Sequence, residues 1–324
     1  MSNVIGIIND PVLDNVVQGY IPGDQDFIGS QLFPPIRVKS RSGEITQVGT
    51  EFLRINSKIK VERTGTPEIT VSMSKTPVWK CEDDGLKIMV LKKDGEQFNK
   101  ADWQAGMADA RIKYGKMLKS ALMIAKEKEV ADALTSTSVI TNNSTLSGDD
   151  QWSDYTSSNP ISNFKTARDT IFDAIGREAN VAYMGRAVYE TLRFHPAMID
   201  KLNVSSDKAK LIGLTPDQLA MVLNVEKVLV GRVRYESAKE GQSSAMANIW
   251  GKDFGLLYVN PSPTPEEWEY SAGYEFILDP EGDPVVDAYG VDDPKYAQFV
   301  RINECRDQVL LHAASVYLFK NAVA

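Results

Sequence analysis

The sequence is poor in the residues that carry chemistry. Among its 324 residues are two histidines, His195 and His312, and two cysteines, Cys81 and Cys305. Two cysteines far apart in sequence make no zinc pair and no redox motif, and they read as ordinary reduced thiols. His195 precedes Pro196, and His312 lies in the apolar run LLHAA. Both read as packed or capping side chains, and they cannot complete a zinc triad. There is no G-x-S-x-G, no P-loop ending in GK[ST] and no G-x-G-x-x-G. The expectation is therefore a chain with no catalytic residue, no cofactor and no metal. No apolar run approaches the length needed to span a bilayer. The start, MSNVIGIINDPVLDN, lacks the basic residues of a signal peptide, so the chain is expected to fold in a cytoplasm. Positive charge is in deficit as well. Thirty-six bases against 44 acids give a net charge of −8, which argues against nucleic-acid binding driven by global charge.

What the sequence does have is one very long helical pattern. From Asn99 to Leu134 no proline intervenes. Trp103, Met107, Ala110, Tyr114, Met117, Leu118, Ala121, Leu122 and Ala125 recur at steps of three and four. Asn99 reads as the N-cap, with Asp102 favouring the positive helix end. A helix of this length reaches roughly 50 Å at 1.5 Å per residue, a beam on which other elements can be mounted.

Around it the chain alternates in character. Residues 1 to 35 hold many prolines and glycines but also apolar residues, among them Ile5, Ile7, Ile8, Val12, Leu13, Val16, Val17, Phe27, Leu32 and Phe33, which need a surface on this chain or on a neighbour. Arg37 to Arg63 reads as strand, turn and strand, with seven bases (Arg37, Lys39, Arg41, Arg54, Lys58, Lys60, Arg63) against three acids. Such a patch is either a solvated hairpin face or a docking arm for an acidic surface. Short strands follow from Ile69 to Leu91, then a turn at Asp94-Gly95. Thr135 to Pro160 is rich in Ser, Thr, Asn and Asp and reads as a loop and domain boundary. Ile161 to Val259 alternates helices and strands, with Thr215-Pro216 opening TPDQLAMVLN as cap and first helical residue, and it reads as an α/β subdomain. Pro261 to Pro265 is a stiff linker. Trp268, Tyr270, Ala272, Tyr274 and Phe276 share one phase of a strand. The stretch from Asp279 to Asp293 holds six acids and no base (Asp279, Glu281, Asp283, Asp287, Asp292, Asp293). It lacks calcium-loop spacing. A strand and a terminal helix are expected from Tyr296 to Ala322.

Two charge features point outward. Arg111, Lys113, Lys116 and Lys119 form a basic run on the long helix, either a solvated face or a weak contact to phosphates. The basic hairpin and the acidic segment lie far apart in the sequence. Opposite charges on one protein favour head-to-tail contact between copies, which yields rings or lattices.

The order of parts, together with SQLFPPIRV, DDQWSDYTSSNPISNFKTARDTI, NVAYMGRAVYETLRFHPAMIDKL, LTPDQLAMVLNVEKVLVGRV and NIWGKDFGLLYVNPSPTPEEWEYSAGYEF, resembles the major capsid proteins of tailed bacteriophages across nearly the whole chain. The resemblance implies an α+β fold: a peripheral domain on a long spine helix, an axial α/β domain, an extended hairpin loop and an N-terminal arm. Laid on this sequence, those parts are an arm at 1–35, the hairpin and peripheral strands at 36–92, and the spine helix and loop at 93–159. The axial domain is 160–261, and peripheral strands, acidic loop and C-terminal segment are 262–324. It implies a non-enzymatic shell protein forming pentamers and hexamers of an icosahedral capsid around double-stranded DNA, built in the host cytoplasm and resident in the virion. Its partners would be its own copies, a scaffolding protein, a portal and a decoration protein. The stretch reached by Leu32 leaves no room for a fused scaffold, so that protein would be separate unless the chain is a processed form. Some relatives crosslink through lysine and asparagine. Lys58 and Lys60 lie in the corresponding loop, and nothing in the sequence names their partners. The alternatives are an encapsulin-like nanocompartment, which shares this fold, and a soluble α/β enzyme using Ile161 to Val259.

Overall fold

The computed structural model describes residues 27–48, 73–99, 101–202, 213–239, 241–261, 271–279, 285–290 and 298–324. In chain order the helices of three residues or more turned as α-helix are α1 (Gly29–Leu32), α2 (Lys92–Phe98), α3 (Trp103–Leu134), α4 (Pro160–Ile175), α5 (Arg186–Leu192), α6 (Pro196–Lys201) and α7 (Pro216–Leu223). The strands are β1 (Pro35–Val38), β2 (Ser42–Val48), β3 (Met73–Lys80), β4 (Glu82–Val90), β5 (Asn143–Thr145), β6 (Val181–Gly185), β7 (Lys227–Gly231), β8 (Arg234–Glu236), β9 (Met246–Asn248), β10 (Phe254–Leu257), β11 (Gly273–Leu278), β12 (Val285–Gly290), β13 (Gln298–Leu310) and β14 (Val316–Lys320). Most of the arm, the hairpin residues Arg54, Lys58, Lys60 and Arg63, the linker from 262, and Glu281, Asp283, Asp292 and Asp293 lie outside the described residues.

Two five-stranded sheets organise the body. The first runs β1-β11-β13-β12, with β4 also paired to the long strand β13. The spine helix α3 crosses this sheet. Its Met107, Ala110, Leu118 and Leu122 pack with Val90, Val286, Val300 and Ile302. The buried stripe is narrower than the apolar spacing suggested, because Met117, Ala121 and Ala125 face outward. Farther along, the stripe continues through Val130, Ala131 and Leu134, which pack against Ile28, Leu32 and Phe33. The last residues of the expected arm are thus core residues of this same chain.

The helix begins differently from the sequence reading. Asp94-Gly95 is not a turn but part of α2, and Asn99 ends that helix rather than capping the next. Asp102 caps α3, its Oδ1 accepting from the Ala105 amide. The reason is a close crossing: a side chain at Gly106 would collide with the Gly95 carbonyl, so α2 folds back directly onto α3.

The second sheet runs β5-β14-β10-β6-β7. Three of its strands come from Ile161 to Val259, and β5 and β14 join from either side of that stretch. Here the expected terminal helix is corrected, and the expected loop, irregular over most of its length, is partly built into the sheet and core. Thr135 to Pro160 contributes β5 and a wholly buried Trp152, which packs on Phe164, Phe254 and Phe319. The chain ends in β14, because Val316, Leu318 and Phe319 fill the core of an extended sheet. Helix signals nearby behaved as read. Thr215 and Gln218 form a capping box, and Asn224 closes α7 in the left-handed region at φ 53°. Tyr274 and Phe276, expected in one strand phase, are both buried in β11.

Candidate functional site

The charged segments come together in an unexpected way. β1 lies parallel to β11, with Val38 opposite Leu278. The basic stretch therefore leaves the sheet beside the point where the acidic stretch leaves it. Arg37 Nη1 lies 3.8 Å from Asp279 Oδ1, both half exposed. Arg41 donates twice to Asp83, at 3.1 and 3.4 Å. Lys39 is exposed. Asp287 stands opposite Arg301 in the β12–β13 register. Segments far apart in the sequence are neighbours in space, and part of their charge is already matched within one chain. Such exposed pairs stabilise by only about 0–1 kcal/mol each, so the charges remain usable at a surface.

The basic run on α3 does not form one stripe. At roughly 100° per residue, Arg111, Lys116, Lys119 and Lys113 spread over more than half the helix circumference. Lys113 is exposed and sits 5.2 Å over the Phe98 ring, while the other three are partly buried.

A seam between α3 and the first sheet holds the strongest electrostatics. Lys126 Nζ reaches Glu304 at 2.7 Å and Glu275 at 3.2 Å. Arg306 reaches Glu304 at 2.6 Å, Glu129 at 2.9 Å and Asp84 at 3.3 Å. Burial alone would weaken the hold of Arg306 on its proton, but Glu304 and Glu129 outweigh it and raise its pKa. Next to Lys126 in the sequence, Glu127 is buried and accepts three N–H donors: Ile28 at 3.0 Å, Gly29 at 2.7 Å and Trp250 Nε1 at 2.6 Å. Burial raises its carboxyl pKa against the pull of those donors. The sequence reading missed this seam. The only trace of it was the polar run Lys126 to Glu129 inside an otherwise apolar stripe.

The chemistry-bearing side chains are structural. The Nδ1 of His195 accepts from the Ala197 amide at 3.2 Å, capping α6. The proton therefore sits on Nε2, which faces Ser158 Oγ at 3.1 Å, and that serine donates to the Asp154 carbonyl. In this polarity the imidazole donates to the serine and cannot take its proton. Cys81 and Cys305 are free thiols buried in one cluster with Tyr274 and Phe276. Burial raises both, Cys305 to about 11, which fits inert thiols. Among the described residues no group of three His, Cys, Asp or Glu is placed to hold a metal, and no helix is long and apolar enough to cross a membrane. An open groove of about 510 Å³ between α4, α6 and α7 is lined by residues including Ile161, Lys165, Arg168, Lys201 and Leu223, with neither histidine nor cysteine.

No family model matches the chain. It is 26% identical over 328 residues to the major capsid protein of Burkholderia phage BcepMu, covering 96% of this chain and 95% of that one. A solved phage-related protein from Bordetella bronchiseptica superposes with a TM-score of 0.70 at 24% identity, covering 98% of both chains. A chain from the capsid structure of cyanophage P-SCSP1u superposes with a TM-score of 0.59 at 11% identity, covering 93% of this chain and 90% of that one. Over almost its full length the sequence is similar to that of a phage major capsid protein, and the fold is shared with solved phage-related and phage capsid structures.

Proposed function

We propose that the protein is a phage major capsid protein whose copies assemble into pentamers and hexamers of an icosahedral shell enclosing double-stranded DNA. The observation that carries this reading is the end-to-end similarity to a phage major capsid protein, spanning 96% of the chain. The architecture agrees with it. A helix of 32 residues joins two separately cored sheets, an arrangement suited to spreading contacts over several neighbours. The division into arm (1–35), hairpin and peripheral strands (36–92), spine helix and loop (93–159), axial domain (160–261) and terminal peripheral segment (262–324) belongs to the same proposal. So do a scaffolding protein, portal and decoration protein as partners, residence in the virion and assembly in the host cytoplasm. Individually weak contacts become a stable shell by multiplicity.

The contact surfaces proposed are the basic residues Arg37, Lys39, Arg41, Arg54, Lys58, Lys60 and Arg63 on one copy and the acids Asp279, Glu281, Asp283, Asp287, Asp292 and Asp293 on the next. Lys113 and its neighbours on α3 are proposed to touch packaged DNA weakly. Negative-stain microscopy of the purified protein, alone and with the scaffolding protein of its phage, tests the reading. Closed shells, rings or tubes of uniform curvature are expected. A species that stays monomeric with the scaffold present would overturn it.

A further inference from the structure

The Glu127 carboxylate sits where three remote parts of the chain meet. It is 3% exposed, in the interior of α3. Two of its donors are the Ile28 and Gly29 amides, the first free N–H groups of the one-turn helix α1. The third is the indole of Trp250, in the turn before β10 of the second sheet. Helix-start amides have no partner within their own helix, and a carboxylate is their strongest acceptor. Gly29 is fitted to this contact. A methyl group there would lie 2.7 Å from Glu127 Oε2. Immediately after, Leu32 and Phe33 are fully buried against α3 and the second sheet. Immediately before lies Phe27, from which the first 26 residues continue.

We propose that Glu127 is the positioning residue that fixes the turn at residues 27–33 on the body of the protein, and so, on the shell reading, the geometry that this end of the chain brings to assembly. The anchor is selective for a carboxylate. Oε1 takes two donors and Oε2 the third, so every lone-pair direction used is an acceptor. An amide in place of the acid would turn an NH2 group toward at least one of these N–H groups. Lys126 does not compete for the site, because its ammonium is held by Glu275 and Glu304. Leu32 and Phe33 hold the segment to the core by apolar contact, and from Pro34 onward the Glu275 amide donating to the Pro34 carbonyl and the β1–β11 pairing fix the chain. The three hydrogen bonds to Glu127 fix the turn that precedes them, and with it the course of the backbone at Phe27.

This proposal rests on the shell reading for its consequence in assembly but not for the anchor itself, and the experiment separates the two. Amide hydrogen exchange is followed in the full chain for wild type, Glu127→Gln, Glu127→Ala and Trp250→Phe. The amides of 27–33 are expected to exchange ~tenfold or more faster in both Glu127 variants, with the strands of both sheets as protected as in wild type. Trp250→Phe, which keeps two of the three bonds, should show a smaller increase. Wild-type protection at Ile28 and Gly29 in Glu127→Ala overturns the anchor. Where Glu127→Ala loses protection throughout, Glu127→Gln and Trp250→Phe decide, being the smaller changes. Particles are then imaged. Glu127→Gln is expected to give mixed sizes and open sheets where wild type gives one size. Uniform particles of wild-type size from a variant with loosened 27–33 would overturn the directing role. A wild type that forms no particles even with the scaffolding protein present would sink the shell reading, while exchange still decides the anchor.

Discussion

His195 illustrates how a residue with catalytic potential is spent on structure. Its Nδ1 caps α6 and its Nε2 proton faces Ser158, so both nitrogens are committed in the neutral ring. Burial lowers its pKa below the ordinary 6.5, and the same holds for His312. The sign follows. Above pH ~6.5 both folded and unfolded states hold neutral histidine, and there is no slope. Below it the unfolded chain takes up protons that the folded one resists, so stability falls with pH until the folded pKa is passed. Glu127, with its carboxyl raised, acts in the opposite sense, upward in pH from its unfolded pKa of about 4.5. Replacing His195 by asparagine keeps a side chain able to cap α6 but removes the titration. Urea unfolding at pH ~7.5 and ~5.5 should show a smaller loss of stability in His195→Asn than in wild type, with the remaining slope from His312. An unchanged loss would mean that the buried ring is not the titrating group. The bland reading of the two histidines in the sequence rested on their isolation. The structure adds the tautomer, which no sequence pattern encodes.

At the scale of elements, the seam between α3 and the first sheet decides how the spine helix is held. Four carboxylates share Lys126 and Arg306, with Glu304 fully buried between both cations. Removing one partner of such a group leaves an uncompensated charge in low dielectric. Arg306→Met is therefore expected to cost about 3–5 kcal/mol in chemical unfolding, far more than its lost packing. A cost under about 1 kcal/mol would show that water reaches Glu304 and that the seam is not a closed joint. The legibility of the elements follows the range of the forces that make them. Helix α7 was readable because Thr215, Pro216 and Gln218 carry its start signals within four residues. Helix α4 was readable from the shared face of Phe164, Ala167 and Ile171, and the structure adds Asn159 capping one end and Gly176 in the left-handed region at the other. Helix α2 was hidden, since Asp94-Gly95 is good turn chemistry and only contact with Gly106 overrides it. The terminal strand β14 was hidden because its partners, β5 and β10, lie roughly 60 to 175 residues earlier in the chain. The seam was hidden for the same reason, and Glu127 with it. A charged residue in a helix reads as solvated unless its distant partners are known.

For the whole molecule, the sequence separation of the basic and acidic stretches misled about their placement, though not about their charge. Parallel pairing of β1 with β11 brings both to one side of the first sheet, with Arg37 beside Asp279. A copy therefore presents the two signs close together, and head-to-tail docking requires the outer residues of each stretch to reach beyond their own chain. Reversing Arg54, Lys58 and Lys60 to glutamate is expected to leave a folded protein, with a urea midpoint close to that of wild type. It should abolish particle formation by placing like charges at each contact. The decisive comparison is a second reversal in the same chain, with Glu281, Asp283, Asp292 and Asp293 changed to lysine. If the two stretches meet across copies, the doubly reversed protein restores complementarity and recovers particles, and both single reversals fail in negative stain. If the basic patch is only a solvated hairpin face, the first reversal alone assembles normally. Recovery in the double reversal shows that the two stretches recognise each other, and because Arg37 already lies beside Asp279 in one chain, a mixture of the two single-reversal proteins separates pairing within a copy from pairing between copies. Particles from the mixture, with none from either protein alone, require that the acids of one copy recognise the bases of another.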